Sequence, residues 1–453
     1  MRDRRYAFVA ACALLALMAA PIAADTISGS LKFGNTPLLR PEGGSEPEIS
    51  IAANGTMAIV GLQWLFVPNF FGTHLWTGPF GSTPVFQGLI DAQLQQNGKA
   101  VFGSGDADVD FGATGTLHAT TLIFLINPVF NATQIGVSAI SCPNATAAGF
   151  SLGGCREQII DTAGADRSWV TSDGSHVYIS YHDSGNSSLI HVQRSDDDGM
   201  TWRKVGDPIV GQDGATADST FNNDQGKIVA DPVTHNVYDV YAAGQPGIQK
   251  ATSARFNNIF VSRSTDMGKS WTANLVFSAP LFTGLNNVFP ALAVDAVTGK
   301  LYTAWSDGHT IGFAASSDQG SHWTPAVTVN VAPANTAVFP WISAYGGTVA
   351  VVYYATTAAS KDNSTAVWNV YLAQSINDGA SFQQSLVSRT PNHVGVVCTS
   401  GIACAAGTRN LLDLFQVAID PLNGHAAVIY TDDTLTTDSS GAPLPQVVLA
   451  QQK

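Results

Sequence analysis

Short apolar runs, some alternating with polar residues and some nearly continuous, follow one another along the chain and are separated by Gly, Asn or Asp-Pro turns. Runs this short and rich in Val, Ile and Tyr read as strands. Seven of them look like the first strand of a repeated unit: 47–52, 106–111, 167–171, 226–230, 289–294, 339–343 and 413–419. Each is followed by a second apolar run, such as 177–181, 237–241 or 301–305. Repeats of roughly 50–65 residues with four strands apiece predict an all-β fold, a single closed β-propeller with four-stranded antiparallel blades. Seven blades are expected, with a six-bladed ring carrying one irregular insertion as the alternative. The last unit stops one strand short near Ala450, while residues 28–33 supply a spare strand near the start. Pairing of about 28–33 with about 445–451 would close the ring and cover the open edge. Residues 25–453 then form one domain.

A motif recurs within the units. Ser195-Asp196-Asp197-Asp198-Gly199-Met200-Thr201-Trp202 returns at 264–271 and 316–323, and in worn form at 375–382. Strand-like residues precede each copy, so the Ser-x-Asp-x-Gly segment should be the turn of a β-hairpin. Gly supplies the positive φ, while the Asp or Asn side chain and the Ser hydroxyl bond the backbone inside the turn. The aromatic that follows fills the gap between units. Asp197, Asp266, Asp318 and Asn377 are therefore structural residues.

These four turns resemble the Asp-box, or BNR repeat, of sialidase-like β-propellers. The resemblance spans nearly the whole chain at the level of repeats and is strongest from about 166 to 385. It implies a propeller that acts on or binds carbohydrate. Sialidases use an arginine triad, a Tyr–Glu pair and an acid/base Asp, and this set does not transfer. Arg40 is followed by Pro41-Glu42, no arginine lies between Arg263 and Arg389, and Glu157 is the only glutamate outside 42–48. Tyr181, Tyr353 and Tyr354 thus lack an evident glutamate partner.

The first 24 residues, with a basic start, an apolar middle and an Ala-rich end, read as a signal peptide cut before Asp25. Arg4-Arg5 leaves Sec and twin-arginine export both open. A secreted or periplasmic protein is expected, with no membrane span. Four cysteines remain after cleavage, and sequence proximity favours Cys142 with Cys155 and Cys398 with Cys404 as disulfides. In the second unit the first of these loops takes the place of the Asp-box turn. Asn54, Asn131, Asn144, Asn186 and Asn363 head glycosylation sequons. A net charge of −13 excludes nucleic acid as a partner.

Polar residues at the ends of first strands converge on a propeller's central channel. The catalytic candidates are Asp106, Asp108, Asp166 and Asp183, with one of the first two opposed to one of the second two, in the manner of Asp-box endoglucanases that use paired aspartates. Arg167, His182, Asp224, Asp307, His309, Arg409 and Asp413 are candidates for substrate binding. Trp64, Phe66, Phe70, Phe71 and Trp76 offer either a stacking platform for sugars or ordinary packing. No cofactor and no metal is expected: Asp196-Asp197-Asp198 lacks the spaced ligands of an EF-hand, although calcium in the channel or an interblade loop stays open. The partner is a glycan or glycoconjugate, or else a protein on one face, and the chain is expected to be a monomer.

Overall fold

The computed structural model describes residues 22–453, apart from 24, 64–71, 97–100, 104, 128–131, 163, 184–188, 210–222, 245–255 and 286. Its strands form seven sheets, one per blade, each with a core of four strands. The first strands of the blades are Ser45–Ile51, Ala107–Phe111, Asp166–Asp173, Asn223–Ala230, Ala291–Val294, Thr336–Tyr345 and Gln416–Ile419. Each packs against the first strand of the next blade, and the seventh returns to the first. The ring therefore has seven blades, and the six-bladed alternative falls.

The seventh blade is completed from the other end of the chain. Phe33–Pro37 pairs antiparallel with Gln446–Gln452, with Phe33 opposite Gln452. This strand lies beyond the 28–33 expected from sequence. The residues before it pair elsewhere: Asp25–Ser28 adds parallel to the outer strand of blade six, and Ile22–Ala23 to that of blade five. Ile22–Ala23 falls within the segment read as a signal peptide, so after cleavage before Asp25 the N-terminal arm covers one further sheet edge, that of blade six, before it closes the ring.

The four Asp-box turns share one set of bonds. In the first, the Ser195 hydroxyl donates to Asp197 at 2.8 Å and accepts from the Gly199 N–H at 2.9 Å, and the Thr201 N–H donates to Asp197 at 2.8 Å. The counterparts around Asp266, Asp318 and Asn377 repeat it. Sequence reasoning assigned the positive φ to glycine alone. In the structure the preceding residue is left-handed too: Asp198, Met267, Gln319 and Asp378 have φ of 57°, 62°, 61° and 60°. That residue reaches back to the blade before. Asp198 accepts from Thr116 at 2.8 Å, the Met267 carbonyl from Arg194 at 2.8 Å, Gln319 from Asn236 at 3.1 Å and Asp378 from Lys300 at 2.8 Å. Each turn therefore locks its own hairpin and clasps its neighbour.

Blade two has a disulfide where blades three to six have the Ser-x-Asp/Asn-x-Gly turn. Cys142 ends the third strand, Ala132–Cys142, and is bonded to Cys155, just ahead of the fourth, Arg156–Asp161. With 13 residues of separation, loss of this link in a Cys142→Ser, Cys155→Ser protein is expected to cost about 3 kcal/mol. Chemical denaturation of the two proteins under oxidising conditions checks it.

Candidate active site

The first strands carry a repeated irregularity at one end of the channel. Their pairing with the second strand shifts register at Ser45/Glu48, Asp166/Trp169, Gln225/Ile228 and Val338/Trp341. Within three of these bulges a non-glycine residue is left-handed: Glu46 at φ 47°, Arg167 at 50° and Phe339 at 56°. A bulge re-aims side chains at the rim of a closed sheet, and such conformers persist only where their surroundings hold them. Here Glu46 and Arg167 are turned into the mouth.

The mouth is a cavity of about 520 Å³. Asp106, Asp166, Arg167, Asp224, Arg409 and Asp413 all line it, and so does Glu46, which sequence reasoning passed over. Leu62, Leu122, Phe124, Ile135, Val288 and Leu412 form its apolar wall. Thr399, Ser400 and Gly401, inside the loop tied by the Cys398–Cys404 disulfide, form part of the rim. Arg167 donates to Asp224 at 2.5 Å, lies 3.6 Å from Asp166, and stacks 5.6 Å over Phe289. Arg409 bonds both carboxylate oxygens of Asp413. Burial opposes the charge on Arg167, but Asp224 and Asp166 outweigh it and keep the guanidinium charged.

Glu46 and Asp106 differ from the other carboxyl groups of the mouth because, among the described residues, no guanidinium group hydrogen-bonds or ion-pairs with either of them. The Arg167 N–H donates to Asp106 at 3.2 Å and the Asp413 N–H to Glu46 at 3.0 Å, and the two carboxyls influence each other's charge. Burial pushes Asp106 up to about 7, with Asp166 and Asp413 acting in the same direction and Arg167 against it. Burial also raises Glu46 well above the usual range, helped by Asp106 and Asp413. At neutral pH the pair therefore holds a proton beside more exposed carboxylates.

Asp106, just ahead of the strand Ala107–Phe111, and Asp108 and Asp110 within it lie two residues apart, so they descend the channel as a column. Only the first reaches the mouth. Asp108 is fully buried, bonded by Lys227 at 2.8 Å, the Val170 N–H at 2.9 Å and Gln416 at 3.2 Å. The expectation that Asp106 and Asp108 are interchangeable thus gives way to Asp106 at the site and Asp108 in a plug beneath it. Asp110 lines a second cavity, of about 380 Å³, below that plug.

The other candidates lie apart from the mouth. Asp183 bonds His191 at 3.0 Å, and His182 is buried as the ladder partner of Asp166. Asp307 accepts from the backbone of His309 and Thr310 at 2.8 and 2.6 Å, which makes it a turn former. His309 contacts Thr336 at 3.1 Å. Of the aromatic candidates, Trp76 is buried against His74 and Phe86, while Trp64, Phe66, Phe70 and Phe71 fall outside the described residues. Among the described residues no group of three His, Cys, Asp or Glu is arranged to hold a metal ion, and no helix is long and apolar enough to cross a membrane.

Raised carboxyl groups make stability depend on pH. Burial is the leading cause for Asp106 at about 7, Asp110, Asp207 and Asp432 at about 6, and Glu157 at about 8. Between the ordinary carboxyl range and these values the folded chain binds more protons than the unfolded one, so stability falls as pH rises. Thermal unfolding is expected at a lower temperature at pH 8 than at pH 5, as scanning calorimetry across that range would record.

No protein-family model matches the chain, and no curated protein sequence matches it. Among solved structures, the α-L-arabinofuranosidase Arb93A of Fusarium graminearum in complex with an iminosugar inhibitor is 14% identical, with a TM-score of 0.46 over 76% of this chain and 98% of that one. A PL25 ulvan lyase is 11% identical, with a TM-score of 0.48 over 94% and 95%. Trypanosoma rangeli sialidase with the inhibitor DANA is 11% identical, with a TM-score of 0.43 over 92% and 59%. At these levels the chemistry of the mouth has to be argued from its own residues.

Proposed function

We propose that the protein is an exported glycoside hydrolase, secreted or periplasmic and monomeric, whose site is the channel mouth. The observation that supports this most is the Glu46–Asp106 pair, which keeps a proton near neutral pH within the same cavity as Asp166. Glycoside cleavage needs two carboxyl groups in opposite protonation states. Asp106, partly open to the cavity, gives its proton to the glycosidic oxygen as the bond to the anomeric carbon breaks. Asp166, with 48% of its side chain exposed, takes a proton from the water that attacks that carbon. Solvent then returns the protons to their starting places. Burial, with Asp166 and Asp413 facing it, holds Asp106 in its protonated form, and the apolar wall receives the hydrophobic face of the sugar ring.

The test is release of reducing ends from a panel of neutral and charged oligosaccharides by the purified mature chain across pH 5–8. Release with a rate that falls as pH rises past about 7 supports the proposal. Binding without release would make the mouth a lectin-like site. Silence on both counts would remove the glycan and leave a protein partner.

A further inference from the structure

Phe282 stands where the demands of folding give no reason for it. The Pro280 carbonyl accepts from the Thr283 N–H at 3.1 Å, so residues 280–283 form a β-turn, and Phe282, its third residue, has φ of 73°. A turn with positive φ at that position ordinarily places glycine there, and a bulky side chain is strained. Packing does not offset the strain: Phe282 is 68% exposed, and it is the only Phe, Tyr or Trp among the described residues that is left exposed. A strained residue that adds nothing to the core marks a place held for function.

The turn belongs to the connection from the outer strand of blade four, Thr272–Ser278, to the first strand of blade five, Ala291–Val294. Val288, further along the same connection, is part of the apolar wall of the mouth. Asn287 ties turn and mouth together. Its side-chain N–H donates to the Gly284 carbonyl at 3.0 Å, and its Oδ1 accepts from the hydroxyl of Thr399, on the mouth rim, at 3.1 Å. The Leu285 N–H donates to the Phe256 carbonyl at 2.8 Å and fixes the other side of the turn. The exposed ring is therefore held outside the cavity on the side of the Thr399 rim.

We infer that Phe282 is an outer subsite, on which one sugar ring of an oligosaccharide stacks its C–H face while neighbouring units of the same chain occupy the mouth. This rests on the glycan reading of the mouth and narrows the ligand to chains that extend beyond it. An aromatic side chain offers a large rigid apolar face at small cost in torsional freedom, and the C–H face of a sugar ring is the part of a glycan able to use it.

The experiment is calorimetric titration of the whole mature chain with trimers and hexamers of three sugars: β-1,4-linked glucose, β-1,4-linked N-acetylglucosamine and α-1,4-linked galacturonate. For a sugar that binds, the hexamer is expected to bind about tenfold tighter than the trimer. Phe282→Ala and Phe282→Gly are expected to bring that ratio close to one, and Phe282→Trp to keep it. Glycine suits the positive φ, so Phe282→Gly is also expected to melt at the native temperature or above it, which a ring that supported the fold would not allow. A native ratio close to one, an undiminished ratio in Phe282→Ala or a lower melting temperature in Phe282→Gly overturns the subsite and leaves the glycan reading standing. Binding of none of the three sugars, by a chain whose fold is confirmed by circular dichroism, overturns both.

Discussion

Asp106→Asn is expected to lower kcat for sugar release by about 10²–10⁴-fold, the usual contribution of a positioned proton donor, while KM changes little. The amide keeps an oxygen to accept the Arg167 N–H, which lies 3.2 Å from the carboxylate now, so the bulge that aims Arg167 has no reason to collapse. What is lost is the proton. The alkaline fall in rate near pH 7, set by a carboxyl that burial has raised, should disappear from whatever activity remains. Stability should move the other way. Above pH 7 the native protein carries the cost of an ionised Asp106 facing Asp166 and Asp413, so the asparagine protein is expected to unfold at a higher temperature at pH 8. Rate measurements and thermal scans on the same preparations check both halves. An Asp106→Asn enzyme with half the native rate would show that the proton comes from elsewhere.

The blades were legible in the sequence because each repeats a grammar of short runs and turns, and the Asp-box fixes where third and fourth strands meet. The site was legible where it follows the period of two. Asp106, Asp108 and Asp110 stand on one face of a strand, and that much is written in the spacing. Their depths are not: Asp106 opens on one cavity, Asp110 on another, and Asp108 is sealed between them by residues from blades three, four and seven. Glu46 was missed for a related reason. Nothing in Ser45–Ile51 as a string announces a bulge, and without one Glu46 reads as an ordinary strand residue next to Pro47. Blade four did carry a signal. Gly226 sits in the bulged stretch, where a Cβ would fall 2.0 Å from the Pro290 carbonyl oxygen, and glycine inside a strand pattern marks such a place. Applied to the matching position in every blade, that signal would have pointed to Glu46 and Arg167. Asp183, Asp307 and His309 were drawn in by their place after second strands, but their local bonds keep them where they are.

Below the mouth, Lys227→Met is expected to destabilise the protein by about 3–5 kcal/mol, the cost of removing one partner from a buried ion pair. For a chain of this size that corresponds to roughly 3–6 °C in Tm. Lys227 donates to Asp108 at 2.8 Å, and its charge also restrains Glu48 and Asp110. Glu48 shows how tight the balance is: its side chain is wholly buried, neither carboxyl oxygen has a hydrogen-bond partner among the described residues, and burial with Asp108 raises it well above the usual range. Methionine fills the space of the lysine stem but leaves Asp108 without its ion-pair partner, held by the Val170 N–H and Gln416. The carboxyl groups of the plug should then take up protons more readily. Protons bound in the folded state above the ordinary carboxyl range mean stability that declines as pH rises, so the deficit against the native protein should be largest at pH 8 and shrink towards pH 5. Lys227 does not line the mouth, so glycan binding there should survive at temperatures where the variant is folded. A deficit that stays constant with pH would mean that the lysine supports the channel by packing alone and that its charge is not what holds the plug.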